Sequence, residues 1–408
     1  MNIDTLVIKT ASRCNLNCSY CYVYNMGDET YKVQPKLMSE DTALSIVKRT
    51  EEHCIENKVQ HFSFVFHGGE PLLQSKSFYS FFVQHVNELL IKKHSIKCYF
   101  SLQTNGLLMD KEWCLLLNKL KISTGISLDG YKEINDQFRV DHKGRGSYDK
   151  TIRGINIGKQ YLKRKVGILG VMDINSDPVK MYDHIKRTSS NSIMDMLWPL
   201  ATWDNYPKEL VVDSCDSQVS TPFADWLITI FDLWFEERPK TNLQIRIFTS
   251  IMNLIMDVET GWDEEFGLNN NKLLCIETDG NMGVSGDFNI CGKDFFKPGS
   301  NIHSHSFTNS LQTPLGEKYY EGSKNLCQQC THCPIVEVCG GGHMTSRYSN
   351  ANGFNNPSIY CHDRIKLIVH IQNAIFDALP EKYKEKFNRM NYLEVRRSIL
   401  KNKQVEMR

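Results

Sequence analysis

Apolar residues in the first half of the chain fall into short runs separated by stretches of helical period. Six runs read as strands: "LVIKTA" (6–11), "FSFVFHGG" (62–69), "KCYFSLQT" (97–104), "ISTGISLD" (122–129), "VGILGVMDI" (166–174) and "IMDMLWPL" (193–200). Between them, "SEDTALSIVKRTEEHC" (39–54), "KSFYSFFVQHVNELLIKK" (76–93) and "YDKTIRGINIGKQYLKR" (148–164) space their apolar residues as amphipathic helices do, and Ser39 stands at an N-cap position. Strand–helix alternation predicts an α/β fold with a parallel sheet and right-handed crossovers. Six such strands suit a partly closed (β/α)6 barrel, and ligands of these sheets bind at the strand C-terminal ends. A cysteine-bearing loop follows the first strand there, and "HGGEP", "QTNG" and "SLDG" follow the next three.

The pattern then changes. Residues 216–270 are helical and aromatic and read as a bridge. Residues 271–362 are rich in Gly, Asn, Ser and Cys with little periodicity, so this segment needs staples, which metal binding supplies. Residues 363–408 return to a charged helical pattern, "DRIKLIVHIQNAIFDAL" and then "EKYKEKFNRMNYLEVRRSILKNK". The expected organisation is a core at 1–215, the bridge, the cysteine-rich segment and C-terminal helices.

Composition narrows the class. The 408 residues carry a formal charge of +1, so no global field favours nucleic acid or an anionic membrane. No apolar run reaches the length of a membrane span. The opening "MNIDTLVIKTA" lacks a cationic n-region and is a poor signal peptide, so a cytoplasmic location is expected. Fourteen cysteines in a reducing compartment point to metal ligation or catalysis rather than disulfides. Cys54 and Cys114 in helical patterns and Cys98 in a strand pattern read as small buried hydrophobes; Cys215 is equally isolated. The others gather at 14–21 and 275–361.

"SRCNLNCSYCYVYN" places Cys14, Cys18 and Cys21 in a C-x3-C-x2-C array. A structural zinc site is a closed tetrahedron, and no fourth ligand is near in sequence. A 4Fe–4S cubane takes one thiolate per iron, so three thiols leave one iron open for chemistry.

This array, with Tyr20 before its last cysteine, resembles the radical S-adenosylmethionine (SAM) superfamily. "HGGEP" resembles its Gly-Gly-Glu-Pro motif, which meets the amino group of SAM: Gly68 and Gly69 admit the backbone and Glu70 suits an ammonium. The resemblance, over roughly residues 5–200, implies SAM contacts from Tyr20, Asn105, Ser127, Asp129, Arg139 and Leu197, with Arg139 clamping the carboxylate. The second cysteine set is similar to the SPASM domain of radical SAM peptide-modifying enzymes, which holds two auxiliary 4Fe–4S clusters. By that similarity Cys330, Cys333, Cys339 and Cys361 ligate the distal cluster, and Cys275 and Cys291 the proximal one. His343 stands where a further thiolate is usual and Cys327 is extra; either completes the proximal site, or an iron stays open. Three clusters and SAM are therefore the implied cofactors, and the implied fold is a partial TIM-like barrel with a SPASM domain and helical tail.

The implied substrate is a peptide. Anaerobic sulfatase-maturing enzymes resemble this architecture and carry a basic Asp directly after the second SPASM cysteine. Here Gly292 follows Cys291, which argues against formylglycine formation. "CGGGHMTSRYSNANGFNNPSIYCHD" (339–363) and "CYVYNMGD" (21–28) instead look like radical SAM maturases that form a cyclophane in a ribosomal precursor, joining an aromatic ring carbon to a nearby β-carbon. Asp287, Asp294 and His343 are the candidate proton acceptors. Expected partners are the precursor peptide, leader plus core, and an electron donor such as flavodoxin or ferredoxin. With Cys14 so close to the start, no small peptide-binding module is expected ahead of the barrel; the leader would add to a sheet edge or dock on the C-terminal helices. Alternatives on the same scaffold are thioether formation, epimerisation and sulfatase maturation. From a different class, the alternative is a non-catalytic zinc- or iron-binding protein.

Overall fold

A computed structural model describes all residues except 1–2, 190–191, 211–219, 259–262, 269, 293–294, 296–298, 386–387 and 406–408, and excepting the side chains of 400–405. Asp294 and Cys215 lie outside the described residues. Among the described residues ten strands follow in chain order: β1 (Thr5–Ala11), β2 (His61–Gly68), β3 (Lys97–Thr104), β4 (Ile122–Ser127), β5 (Gly167–Val171), β6 (Ile193–Leu197), β7 (Gln244–Ile245), β8 (Leu273–Ile276), β9 (Asn281–Gly283) and β10 (Ser300–Asn301). The six expected strands are β1 to β6, with ends differing by a few residues.

The described chain divides into two compact units. The first comprises Met1–Val171, Asn191–Met194 and Lys272–Tyr320. Its strands run in the order β10-β9-β8-β1-β2-β3-β4-β5. The pairs from β1 through β5 are parallel, as the strand–helix alternation predicts. The sequence does not predict β8, which pairs in parallel with the other edge of β1, Val7 opposite Cys275. The start of the cysteine-rich segment is thus an extension of the N-terminal sheet.

The two faces of this sheet differ in chemistry. Strand alternation sends Leu6, Ile8, Phe62, Phe64, Phe66, Phe100, Leu102, Ile122 and Ile126 to one face, where all are buried. Phe64 stacks on Phe100 at 5.6 Å and meets Phe82 of the following helix edge-on at 5.3 Å. Each buried ring contributes about 1.5–3 kcal/mol of transfer free energy. The opposite face carries small and polar residues, among them Ser63, Ser101, Gln103, Ser123, Gly125 and Ser127, and these are half-buried. One face seals the sheet to its helices and the other borders accessible space.

Local signals set the helix ends. The helix Glu40–Asn57 is capped by Ser39, whose side chain accepts from Thr42 N, and Lys58 ends it in the left-handed region. Ser75 caps Lys76–Val86 in the same way. The predicted 76–93 helix continues over Asn87–Lys92 with π winding. The helices Lys111–Leu120 and Pro178–Thr188 also form, capped by Asp110 and Asp177.

The second unit comprises Met172–Ser190, Asp195–Asn271 and Glu321–Arg408. It holds the end of β6 beside β7. Three helices, Pro222–Glu237, Arg246–Ile255 and Cys361–Ala378, pack through Phe231, Trp234 and Phe248, with Phe231 edge-on to Phe248 at 5.2 Å. The charged tail is a short helix at Glu381–Lys384 and another at Tyr392–Val405, rather than one continuous segment.

Candidate functional site

The loop after β1 is fixed by its backbone. Cys21 N donates to Cys18 O at 3.0 Å, and Asn17 N and Ser19 N donate to Val140 O and Phe138 O. This folds the Cys14, Cys18 and Cys21 thiols into one electrostatic neighbourhood. Burial, then the Glu70 carboxylate, pushes Cys14 up to about 12. Burial raises Cys18 and Cys21 as well. The metal-free thiols are therefore protonated, and a bound cation supplies the charge that removes those protons. Among the described residues no three His, Cys, Asp or Glu side chains converge as they would on a single metal ion. A cubane does not ask for such convergence, because each thiolate binds its own iron.

Glu70, two residues past the end of β2, is fully buried. Its carboxylate accepts from Thr104 Oγ1 at 2.7 Å, Asn105 N at 2.8 Å and Leu72 N at 2.9 Å. These fill three of the roughly four lone-pair positions of a carboxylate and leave one for an ammonium. The glycines before it are sterically required. Gly68 has φ +119°, and a Cβ there would lie 2.4 Å from Ala11 O. A Cβ on Gly69 would lie 2.1 Å from the Tyr24 hydroxyl and 2.3 Å from Arg13 O.

Opposite stands a buried chain of polar groups. Arg139 Nη1 donates to the Tyr20 hydroxyl at 2.8 Å, and that hydroxyl donates to Asp129 Oδ2 at 2.5 Å. Asp129 Oδ1 accepts from Val171 N. Burial opposes the charge on Arg139, but Tyr20, Asp129 and Cys18 hold it well above the usual guanidinium range. Its Nε is buried without a hydrogen-bond partner, a spare donor that suits a carboxylate ligand. Ser127 accepts from Gln103 Nε2 at 2.8 Å, and Asn105 Nδ2 donates to Asn15 Oδ1 at 2.7 Å. Every N-terminal candidate except Leu197 lies in this unit. Leu197 ends β6 in the second unit, where its carbonyl accepts from Met172 N.

The first unit also contains Cys275, Cys291 and Asp287, all buried. Burial pushes Cys275 up to about 12, with Lys9, Glu277 and Asp287 as charged neighbours. Lys9, on β1, is 3% exposed and paired with Glu277 at 2.5 Å. Burial works against that ammonium, yet the Glu277 carboxylate keeps it charged, above the ordinary lysine range. Lys9, Tyr22, His67 and Glu277 were not among the sequence candidates. The signal for Lys9 was a cation inside the apolar run "LVIKTA".

The second unit holds the rest. Cys330, Cys333, Cys339 and Cys361 line one cavity together with Ile365 and Ile399. Cys327 is hydrogen-bonded to Cys330, which draws Cys327 below the usual thiol range and pushes Cys330 above it. Arg364, 1% exposed, braces the group: it donates to the Cys339 sulfur at 3.4 Å, to Cys339 O at 2.9 Å and to Glu265 Oε2 at 3.0 Å. Nothing in the cysteine spacing marks Arg364 for this role. His343 bonds Thr345 Oγ1 through Nδ1 at 2.8 Å and stands 4.0 Å from Glu264. Among the described residues no helix is long and apolar enough to cross a membrane.

Comparison with known proteins agrees with this geometry. Residues 8–185 match the radical SAM superfamily model. The chain is 30% identical over 396 residues to an uncharacterized protein of Archaeoglobus fulgidus, covering 92% of this chain and 82% of that one. It is 29% identical over 368 residues to the cysteine-type anaerobic sulfatase-maturating enzyme of Clostridium perfringens, covering 88% and 93%. Among solved structures, native anSMEcpe with bound AdoMet superposes with a TM-score of 0.73 at 25% identity, over 92% of this chain and 98% of that one.

Proposed function

Because residues 8–185 of this chain form a radical SAM domain, we propose that it oxidises a side chain of a peptide or protein, beginning at a β-carbon C–H bond. The observation that carries this reading is the meeting of three thiols with Glu70 and Arg139 at the C-terminal ends of parallel strands. Cys14, Cys18 and Cys21 hold a 4Fe–4S cluster with one open iron; Glu70 takes the SAM ammonium, Arg139 the carboxylate, and Asn105 and Ser127 line the same strand ends. With both groups bound, the site supplies a 5′-deoxyadenosyl radical, the species that abstracts hydrogen. Tyr20 and Asp129 keep Arg139 charged and aimed. The buried Phe face excludes water from behind the sheet. Cys275 with Cys291 in the first unit, and Cys330, Cys333, Cys339 and Cys361 in the second, would hold auxiliary clusters, which would supply an acceptor for the substrate's electron. A flavodoxin or ferredoxin supplies the reducing electron.

The likeness to sulfatase-maturating enzymes over most of both chains supports oxidation of a Cys or Ser side chain to formylglycine as the principal reading. A second reading, cyclophane formation, has one specific observation in its favour. Gly292, with φ +135°, follows Cys291 where the sulfatase-maturing pattern has a basic aspartate. Both begin with the same hydrogen abstraction and differ in the fate of the carbon radical. Anoxic, reconstituted enzyme is offered a Cys- or Ser-containing sulfatase peptide and, separately, an aromatic-containing ribosomal precursor peptide, and products are read by mass spectrometry. A hydrazide-reactive carbonyl identifies the first reading. Loss of two hydrogens with a new ring-to-side-chain bond identifies the second. Absence of SAM-dependent 5′-deoxyadenosine with either peptide refutes both.

A further inference from the structure

Lys9 and His67 are register partners on β1 and β2. Alternation puts Lys9 on the same face as Val7, and Val7 pairs with Cys275, so Lys9, Glu277 and Cys275 share that face with the half-buried polar positions of β2 to β4. The cluster is built around the ammonium. A Cβ on Gly286 would lie 3.0 Å from Lys9 Nζ and 3.3 Å from Tyr22 Cε2, so a side chain there would press the ammonium aside by a few tenths of an ångström. His67 immediately precedes the Gly68–Gly69–Glu70 turn, and its ring is half-buried toward the open face. Its Nδ1 is buried and makes no hydrogen bond. A buried ring nitrogen without a partner needs an explanation, because burial without a hydrogen bond is unfavourable by a few kcal/mol, on the order of 1–3.

We propose that His67 accepts the proton that the substrate radical loses as it is oxidised. The inference rests on the radical reading above. Once a hydrogen atom has left the β-carbon, one unpaired electron remains on it. Product formation then expels one electron and one proton. The electron would pass to an oxidised four-iron cluster, the group that Cys275 and Cys291 would hold, and the proton goes to a ring nitrogen of His67. With a Cys or Ser substrate the proton leaves sulfur or oxygen as the double bond to carbon forms. With an aromatic substrate it leaves the ring carbon as the new carbon–carbon bond forms and the ring regains aromaticity. Burial, reinforced by Lys9, pushes His67 down to about 4, so the ring is neutral and keeps its lone pair. A proton leaving an oxidised centre is strongly acidic, and a weakly basic imidazole suffices. Lys9 is a positioning residue: anchored by Glu277, it keeps the ring uncharged. The competing acceptor is Asp287, buried beside Tyr22 and Cys275.

The test compares wild type, His67→Gln, His67→Ala and Asp287→Asn on whichever peptide the wild type converts, measuring product formed per 5′-deoxyadenosine released. A radical that cannot lose its proton is instead reduced back to substrate by one electron from the assay's reductant and one solvent proton, after 5′-deoxyadenosine has already been released. In His67→Gln the ratio is therefore expected to fall about 100-fold, within the range of general-base effects, while recovered β-deuterated substrate shows exchanged label. Added imidazole is expected to restore coupling to His67→Ala, which separates lost chemistry from lost fold. An unchanged ratio in His67→Gln, or the same fall in Asp287→Asn alone, overturns the assignment and leaves the function reading standing. A wild type that releases no 5′-deoxyadenosine overturns both.

Discussion

Replacing Glu70 by Gln changes one atom in kind and none in size. The carboxylate accepts from three donors: Leu72 N and Thr104 Oγ1 at Oε1, and Asn105 N at Oε2. An amide offers only one acceptor atom. Its least unfavourable orientation keeps the carbonyl toward Leu72 and Thr104 and turns the NH2 group against the Asn105 N–H, donor against donor. One buried unsatisfied donor destabilises by about 1–3 kcal/mol, and the two remaining bonds lose their charge assistance. The fold is therefore expected to weaken by roughly 2–4 kcal/mol on that premise. The variant also removes the anion that meets the SAM ammonium. A hydrogen bond to a charged group is worth about 1.5–3 kcal/mol, which converts to roughly 10- to 150-fold weaker binding. Calorimetric titration of SAM into anoxically reconstituted protein measures the second effect, and thermal melting the first. If Glu70→Gln bound SAM within about threefold of wild type, well under one decade in affinity, the assignment of this carboxylate to the ammonium would be wrong.

Other perturbations test separate links. Tyr20→Phe removes the hydroxyl that joins Arg139 to Asp129; SAM affinity is expected to drop about tenfold, the equivalent of one charged hydrogen bond, and an unchanged dissociation constant would show that Arg139 is aimed by something else. Gly69→Ala drives a Cβ against Arg13 O and the Tyr24 hydroxyl, so soluble yield and melting temperature should fall sharply; a normal melt contradicts the packing described. His67 has its folded pKa near 4 against about 6.5 when unfolded. The unfolded chain therefore binds the extra proton first, and stability declines as pH falls from about 6.5 to 4, by up to about 3 kcal/mol. His67→Gln should flatten that limb of a urea-stability profile, and an identical limb refutes the burial argument. Cys361→Ala should lower iron content by about four per chain, one cubane's worth, while leaving SAM-dependent cleavage detectable; unchanged iron excludes Cys361 as a ligand.

The sequence by itself determined the strands, because a period of two against a period near 3.6 is a local property that burial on one face enforces. It also determined the thiol loop, since C-x3-C-x2-C places three thiols within eight residues. Chemistry that is close in sequence was legible for the same reason, as with Gly68, Gly69 and Glu70. What only the tertiary structure decided depends on pairing over long separations. β8 joins β1 across more than half the chain, and only that pairing brings Glu277 to Lys9 and Cys275 to the polar face of the sheet. Arg364 meets Cys339 through the packing of a helix, with no motif to announce it. His67 sat inside a motif read for its glycines and glutamate. Its isolation became visible only when β1 laid Lys9 beside it, because whether a buried nitrogen has a partner is settled by neighbours in space, which the order of residues along the chain does not specify.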